Sequence, residues 1–168
     1  MSASDGWRGQ GPLAVALTLG MGIVVGTALL FQHVGGYMPC ALCLEQRTAY
    51  YIGLAVGLGA IAAVALRLPP ALVRVLLGVI GVLMLWTLAI GVYHAGVEWS
   101  FWPGPADCAV STNLAPSTDL LGSLDAVRPP SCSEAALRIL GLSMAGWNVI
   151  AAGLIAFAAF RGALRPVR

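Results

Sequence analysis

The sequence predicts an all-α integral membrane protein, a four-transmembrane-helix bundle with two outer loops that each carry a cysteine pair. Three observations predict it. The 168 residues are 59% hydrophobic and only 10% charged, with a mean hydropathy of +0.87; a soluble domain carries roughly 25% charged residues to face water. Four stretches are apolar for about 20 residues, the helical length that crosses a hydrocarbon layer of about 30 Å. The four cysteines all fall between those stretches. Residues 1–168 read as a single membrane domain, without low-complexity tracts or internal repeats, and no basic run suggests nucleic acid.

The first span covers about residues 13–31 and holds no Asp, Glu, Lys or Arg. Its apolar run exceeds that of a signal peptide, and "FQHVGGYMP" behind it offers no A-x-A-like cleavage site, so it reads as a retained helix. The first outer loop, about 32–48, contains Cys40 and Cys43. The second span, about 49–66, carries Gly53, Gly57 and Gly59, as the first carries Gly22 and Gly26. Such glycines weaken soluble helices but let membrane helices approach closely. The short "RLPPALVR" turn leads to the third span, about 75–93, and a long outer loop, about 94–138, holds Cys108 and Cys132. The fourth span is about 139–160.

Orientation follows from arginine, the only basic residue besides two histidines. Arg8, Arg67, Arg74, Arg161, Arg165 and Arg168 lie on one side, and Arg47, Arg128 and Arg138 on the other. The excess of basic residues marks the cytoplasmic face, which places both termini there and all four cysteines outside, where disulfides form and persist.

Four cysteines allow three pairings, and the spacing favours Cys40–Cys43 with Cys108–Cys132. A C-x-x-C bridge closes a tiny ring and is typically redox-active, with one thiol made acidic. Cys43 falls at or near the first turn of the second helix, where unpaired N–H groups and the helix dipole favour an anion. Arg47 lies one turn on, on the same face. The second pair closes a loop of about 25 residues, worth about 3 kcal/mol as a staple. From the residues alone, three readings stand: redox chemistry, a metal site joined by His33 or His94, and inert staples of a membrane scaffold. C-x23-C is not the second half of a zinc pattern.

"FQHVGGYMPCALCLEQR" resembles the P-C-x-L-C-x-x-(Q/E)-R signature of the disulfide-bond-formation protein B (DsbB) family of bacterial inner-membrane quinone reductases. "YHAGVEWSFWPGPADC" and "SCSEAALRILGLSMAGWN" are similar to the segments around that family's second cysteine pair. The resemblance covers nearly the whole chain, and implies an electron relay in which Cys40, Cys43, Cys108 and Cys132 are catalytic. A periplasmic thioredoxin-like oxidase of the DsbA type would form a mixed disulfide with Cys108. Cys132 would pass the electrons towards Cys40, and Cys43 would face a bound quinone, ubiquinone or menaquinone. Arg47 matches the family's arginine beside the quinone, and His94 a histidine implicated at the same site; no metal is implied. The other four-helix C-x-x-C enzymes, those similar to vitamin K epoxide reductase, carry the motif late in the bundle, whereas here it follows the first helix.

The remaining polar residues have simpler readings. Gln32 and His33 sit at a membrane interface, Glu98 reads as solvated, and Trp99 and Trp102 as an aromatic belt. Asn148, inside the fourth span, reads as an interhelical hydrogen-bonding residue. "STDLLGSL" (117–124) has the pattern of a short capped amphipathic stretch.

Overall fold

A computed structural model describes residues 4–105 and 132–165, with side chains from residue 9. The long helices are α1 (Ser4–His33), α2 (Ala41–Ala65), α3 (Pro70–Glu98) and α4 (Met144–Leu164), with two-residue strands β1 (Arg138–Ile139) and β2 (Leu142–Ser143) before α4. Each helix contains a segment long and apolar enough to span a membrane: Gly9–His33, Ala41–Ala65, Pro70–Glu98 and Met144–Leu164. The expected four-helix membrane bundle is therefore present. Cys108 and the 117–124 segment lie outside the described residues.

The helix ends differ from the expected boundaries for local reasons. α2 starts at Ala41, which puts Cys43 in its first turn as expected although the apolar span was expected only from about residue 49; "ALCLEQR" consists largely of good helix formers. Its N-cap is Cys40, whose sulfur accepts the Cys43 N–H at 3.4 Å. α3 opens with Pro70, which needs no hydrogen bond at that position. It runs past residue 93 to Glu98, so His94 is a helical residue. The fourth helix begins later than expected, at Met144. Residues 138–143 instead form a hairpin, pairing Arg138 with Ser143 and Ile139 with Leu142. Both turn residues have positive φ, 54° at Leu140 and 84° at Gly141, as the favoured two-residue hairpin turn requires. Ser143 then caps α4, accepting the Gly146 N–H at 3.1 Å.

α3 packs against α2 and α4, and α1 against α2 and α4. Leu17, Met21, Tyr50, Leu77, Ile80, Met84, Ala156 and Ala159 fill the centre. Of the glycines expected to allow close helix packing, Gly53 and Gly57 bring α2 against α1. A Cβ on Gly53 would stand 2.8 Å from Met21 Sδ, and one on Gly57 would run into the Thr18 hydroxyl. Gly26 and Gly59 face open space. Leu19, Ile23, Leu58, Val75, Val82, Leu154 and Phe157 point outwards and are exposed, whereas Gln46, Thr87 and His94 are buried. In water such an exterior would be an unpartnered apolar surface; in a bilayer it meets lipid, and the polar groups face the bundle interior.

Candidate functional site

The site lies where α1 ends and α2 begins. The chain leaves α1 at His33, turns through Gly36 (φ 71°) and enters α2 at the Cys40 cap. One turn of helix brings Cys43 back over Cys40, with the two sulfurs 2.8 Å apart and both thiols free. His94 reaches in from α3, its Nε2 3.7 Å from Cys40 Sγ. Cys132 is disulfide-bonded and 2% exposed, and it packs in one small buried cluster with Cys40, Leu42 and Val97, against which Cys43 also sits. A residue of the long second loop is thereby brought to the C-x-x-C pair.

The donors converge on Cys40. The Cys43 thiol, then the His94 ring and the Cys43 N–H, hold the Cys40 thiol well below the usual thiol range, although burial opposes them. The sequence placed the stabilised thiolate at Cys43 because that residue is in the first turn. It is, but the first-turn N–H points at the cap residue, so the helix N-terminus favours an anion on Cys40.

Arg47 sits on the opposite flank of α2. Its guanidinium donates to Gln32 Oε1 and, at 3.4 Å, to the Ala28 carbonyl, both on α1. Gln32 is thus a partner of Arg47 rather than only an interfacial polar residue. Arg47 and Cys43 are both half-buried, and their electrostatic interaction leaves a thiol and a cation on the α1 side of the site. A separate groove of about 440 Å³ opens between α2 and α3, lined by Leu42, Glu45, Trp86, Ile90 and Tyr93 among others. Neither Cys43 nor Arg47 lines it.

Glu98 corrects the sequence reading. It is not solvated: its side chain is 5% exposed, with Oε1 3.8 Å from His94 Nε2, and Oε2 has no hydrogen-bond partner among the described residues. α3 extends beyond residue 93, so Glu98 lies one helical turn after His94 on the same face. Trp102 stacks on Tyr93, with ring planes 4° apart, and donates to the Tyr93 carbonyl at 2.8 Å.

Behind His94 runs a polar chain that the sequence reading did not assemble. Gln46 Nε2 lies 3.0 Å from His94 Nδ1. Asn148 Nδ2 donates to Gln46 Oε1 at 2.6 Å, and Tyr50 donates to Asn148 Oδ1 at 2.7 Å. Asn148 does bond between helices, as expected, linking α4 to α2. The signal for Gln46 was its polarity, muted because it was placed in a loop.

A C-x-x-C dithiol with one buried, acidified thiol at the mouth of a four-helix membrane bundle, beside a disulfide-bonded loop cysteine, defines a membrane thiol–disulfide protein. Comparison with known proteins specifies which. The family model "Disulfide bond formation protein DsbB" matches residues 10–161, and the chain belongs to that family, whose role is oxidoreduction in disulfide formation. It is 32% identical over 142 residues to "Disulfide bond formation protein B" of Saccharophagus degradans, covering 80% of this chain and 82% of the relative. The protein of that name from Shewanella sp. (strain ANA-3) is 29% identical over 127 residues, 74% of this chain and 70% of the relative. An uncharacterized protein of Rickettsia prowazekii is 25% identical over 131 residues, 76% and 73% respectively. No solved structure gives a significant match.

Proposed function

We propose that this protein is a thiol:quinone oxidoreductase of the bacterial inner membrane. It re-oxidises a periplasmic thioredoxin-like oxidase of the DsbA type and passes the electrons through its two cysteine pairs to ubiquinone or menaquinone. Both termini are cytoplasmic in this reading, on the distribution of the nine arginines. The observation that carries it is the packing of Cys132 with Cys40 in one buried cluster, with Cys43 against it.

The exchange begins once the partner has reduced the Cys108–Cys132 pair. The Cys132 thiolate attacks Cys40 Sγ of the oxidised first pair. A Cys132–Cys40 bond forms, the Cys40–Cys43 bond breaks, and the electron pair leaves on Cys43. Attack by Cys108 on Cys132 then regenerates the second-loop disulfide and expels Cys40 as a thiolate. A low leaving-group pKa speeds such a step, and the donors around Cys40 suit it to that role.

The residues also fit a quinone. Arg47 offers a cation and N–H donors, Cys43 a facing sulfur, and both stand half-buried at the end of a membrane helix. These two residues would hold the quinone, which when bound supplies the acceptor for two electrons and two protons. Adding reduced DsbA-type partner to the detergent-solubilised protein should bleach quinone absorbance. A Cys43→Ser variant that still did so at the normal rate would sink the proposal.

A further inference from the structure

We propose that Tyr50, Asn148 and Gln46 lock His94 in the tautomer that carries its proton on Nε2, and so make it a hydrogen-bond donor to the Cys40 sulfur. The inference rests on reading Cys40–Cys43 as the redox pair. It adds Gln46 and Asn148 as positioning residues that act through His94.

Two hydroxyls fix the amide orientations. The Tyr50 phenol is a donor in need of an acceptor, and it lies 2.7 Å from one end of the Asn148 amide; that end is therefore Oδ1. The Thr87 hydroxyl spends its proton on the Gln46 carbonyl at 3.2 Å, so towards Asn148, 3.4 Å away, it can only accept. Both hydroxyls orient the amide the same way, with Nδ2 towards Gln46. The Gln46 atom 2.6 Å from Nδ2 must then be Oε1, which turns Gln46 Nε2 towards His94 at 3.0 Å. An amide nitrogen is only a donor. Nδ1 must accept, and the ring proton resides on Nε2.

Nε2 is the nitrogen that faces Cys40 Sγ at 3.7 Å and Glu98 Oε1 at 3.8 Å. One N–H thus stands between a thiolate and a carboxylate. The groups around Cys40 are Cys43 on its own helix, His94 and Glu98 on α3, and the disulfide-bonded Cys132. Of these, the His94 N–H is the neutral donor whose orientation depends on residues more than 40 positions away in sequence. Gln46, Thr87, Tyr50 and His94 are 6%, 0%, 2% and 4% exposed, and Asn148 is half-buried within a membrane-spanning helix, so little water competes for these bonds.

The same logic bears on metal binding. Donor atoms of Cys40, Cys43 and His94 lie within 4.8 Å of one another, a spacing that could suit an ion. A ligating imidazole needs a lone pair on the nitrogen facing the ion, and here that nitrogen carries the proton. His94 therefore serves the sulfur as a donor.

The direct test is 15N NMR of the reduced, histidine-labelled protein in detergent. The chain has only two histidines, and a His33→Asn variant assigns them. The expected result is a pyrrole-type Nε2 and a pyridine-type Nδ1 for His94; a protonated Nδ1 overturns the proposal. The second test is the pH profile of peptide-resolved alkylation of Cys40 by iodoacetamide. Gln46→Met should move the acid-side fall in reactivity up by about one pH unit, the order of one long hydrogen bond to a charged sulfur, and should change nothing further in a His94→Phe background. A Gln46→Met effect that persists there, or none in the parent protein, overturns the positioning role. Neither readout needs quinone or a protein partner, so failure here is distinguishable from failure of the proposed function.

Discussion

Replacing Gly96 by Ala tests how the second loop is anchored beside the cysteines. Gly96 is buried in α3, and a Cβ there would enter the Trp102 ring, meeting Cζ2 and Cε2 and lying 2.7 Å from Cη2. Helix backbone cannot yield by that much, so the indole must leave its place. It forfeits its stack on Tyr93, about 0.5–1.5 kcal/mol, and its hydrogen bond to the Tyr93 carbonyl, about 0.5–1.5 kcal/mol. Against this, Ala is favoured over Gly in a helix by up to about 1 kcal/mol. Gly26→Ala in α1 is the reference, because a Cβ there meets nothing within 4 Å. The Gly96 variant should therefore be less stable than the Gly26 variant by about 1–3 kcal/mol, measured by unfolding in mixed detergent and SDS. Its tryptophan emission should also shift to the red, and the shift should vanish in a Trp102→Phe background. Val97, the next residue, packs with Cys40 and Cys132, so transfer between the cysteine pairs should slow as well. Equal stability of the two variants with unchanged emission would show that Trp102 does not pack on Gly96.

Arg47→Ala should raise the apparent KM for quinone more than that for the protein partner; an unchanged quinone KM in steady-state assays would remove Arg47 from that site. Asn148→Leu strands the Gln46 amide and the Tyr50 phenol inside the bundle. With interhelical bonds worth about 0.6 kcal/mol on average and up to about 1.7, it should cost about 1–2 kcal/mol in SDS unfolding, and a neutral result would count against an intact network. The depressed Cys40 thiol sets a pH dependence. An ordinary thiol, with a pKa of about 8.5, loses reactivity tenfold per unit below that value. A group with a lowered pKa stays ionised until the pH falls through the lowered value, so Cys40 alkylation should be nearly flat from about pH 8 to about pH 6. A tenfold-per-unit fall over that range would show that the donors do not act on Cys40.

The four helices were legible because each carries its own run of apolar residues, and hydropathy needs no knowledge of partners. Helix ends were less legible. Hydropathy reports contact with lipid rather than helicity, so the polar first turns of α2 read as loop, while Leu140 and Gly141 read as span although their backbone turns. The C-x-x-C pair was visible from spacing, and the family from the residues around it. Glu98 was misread because the third span was expected to end near residue 93, whereas α3 carries Glu98 one turn beyond His94. The Gln46–Asn148 bond joins residues 102 positions apart, and each polar residue alone has an ordinary explanation.

The position of Cys40 also bears on the direction of electron flow in the proposed relay. Helix caps are usually Ser, Thr, Asp or Asn, whose oxygens accept first-turn N–H groups. Here a sulfur does so, and it is a strong acceptor only as a thiolate. Oxidation to the disulfide removes that charge and weakens the bonds from Cys43 N–H and His94. The surroundings therefore stabilise the reduced pair over the oxidised one. A dithiol whose reduced form is stabilised is a stronger oxidant as a disulfide, the relation the handful of strongly oxidising thiol proteins exploit. The C-x-x-C pair is accordingly suited to take electrons from the second-loop pair. Having taken them, it can release them only to an acceptor more oxidising still, and the cation and half-buried thiol on the α1 side are where such an acceptor would be met.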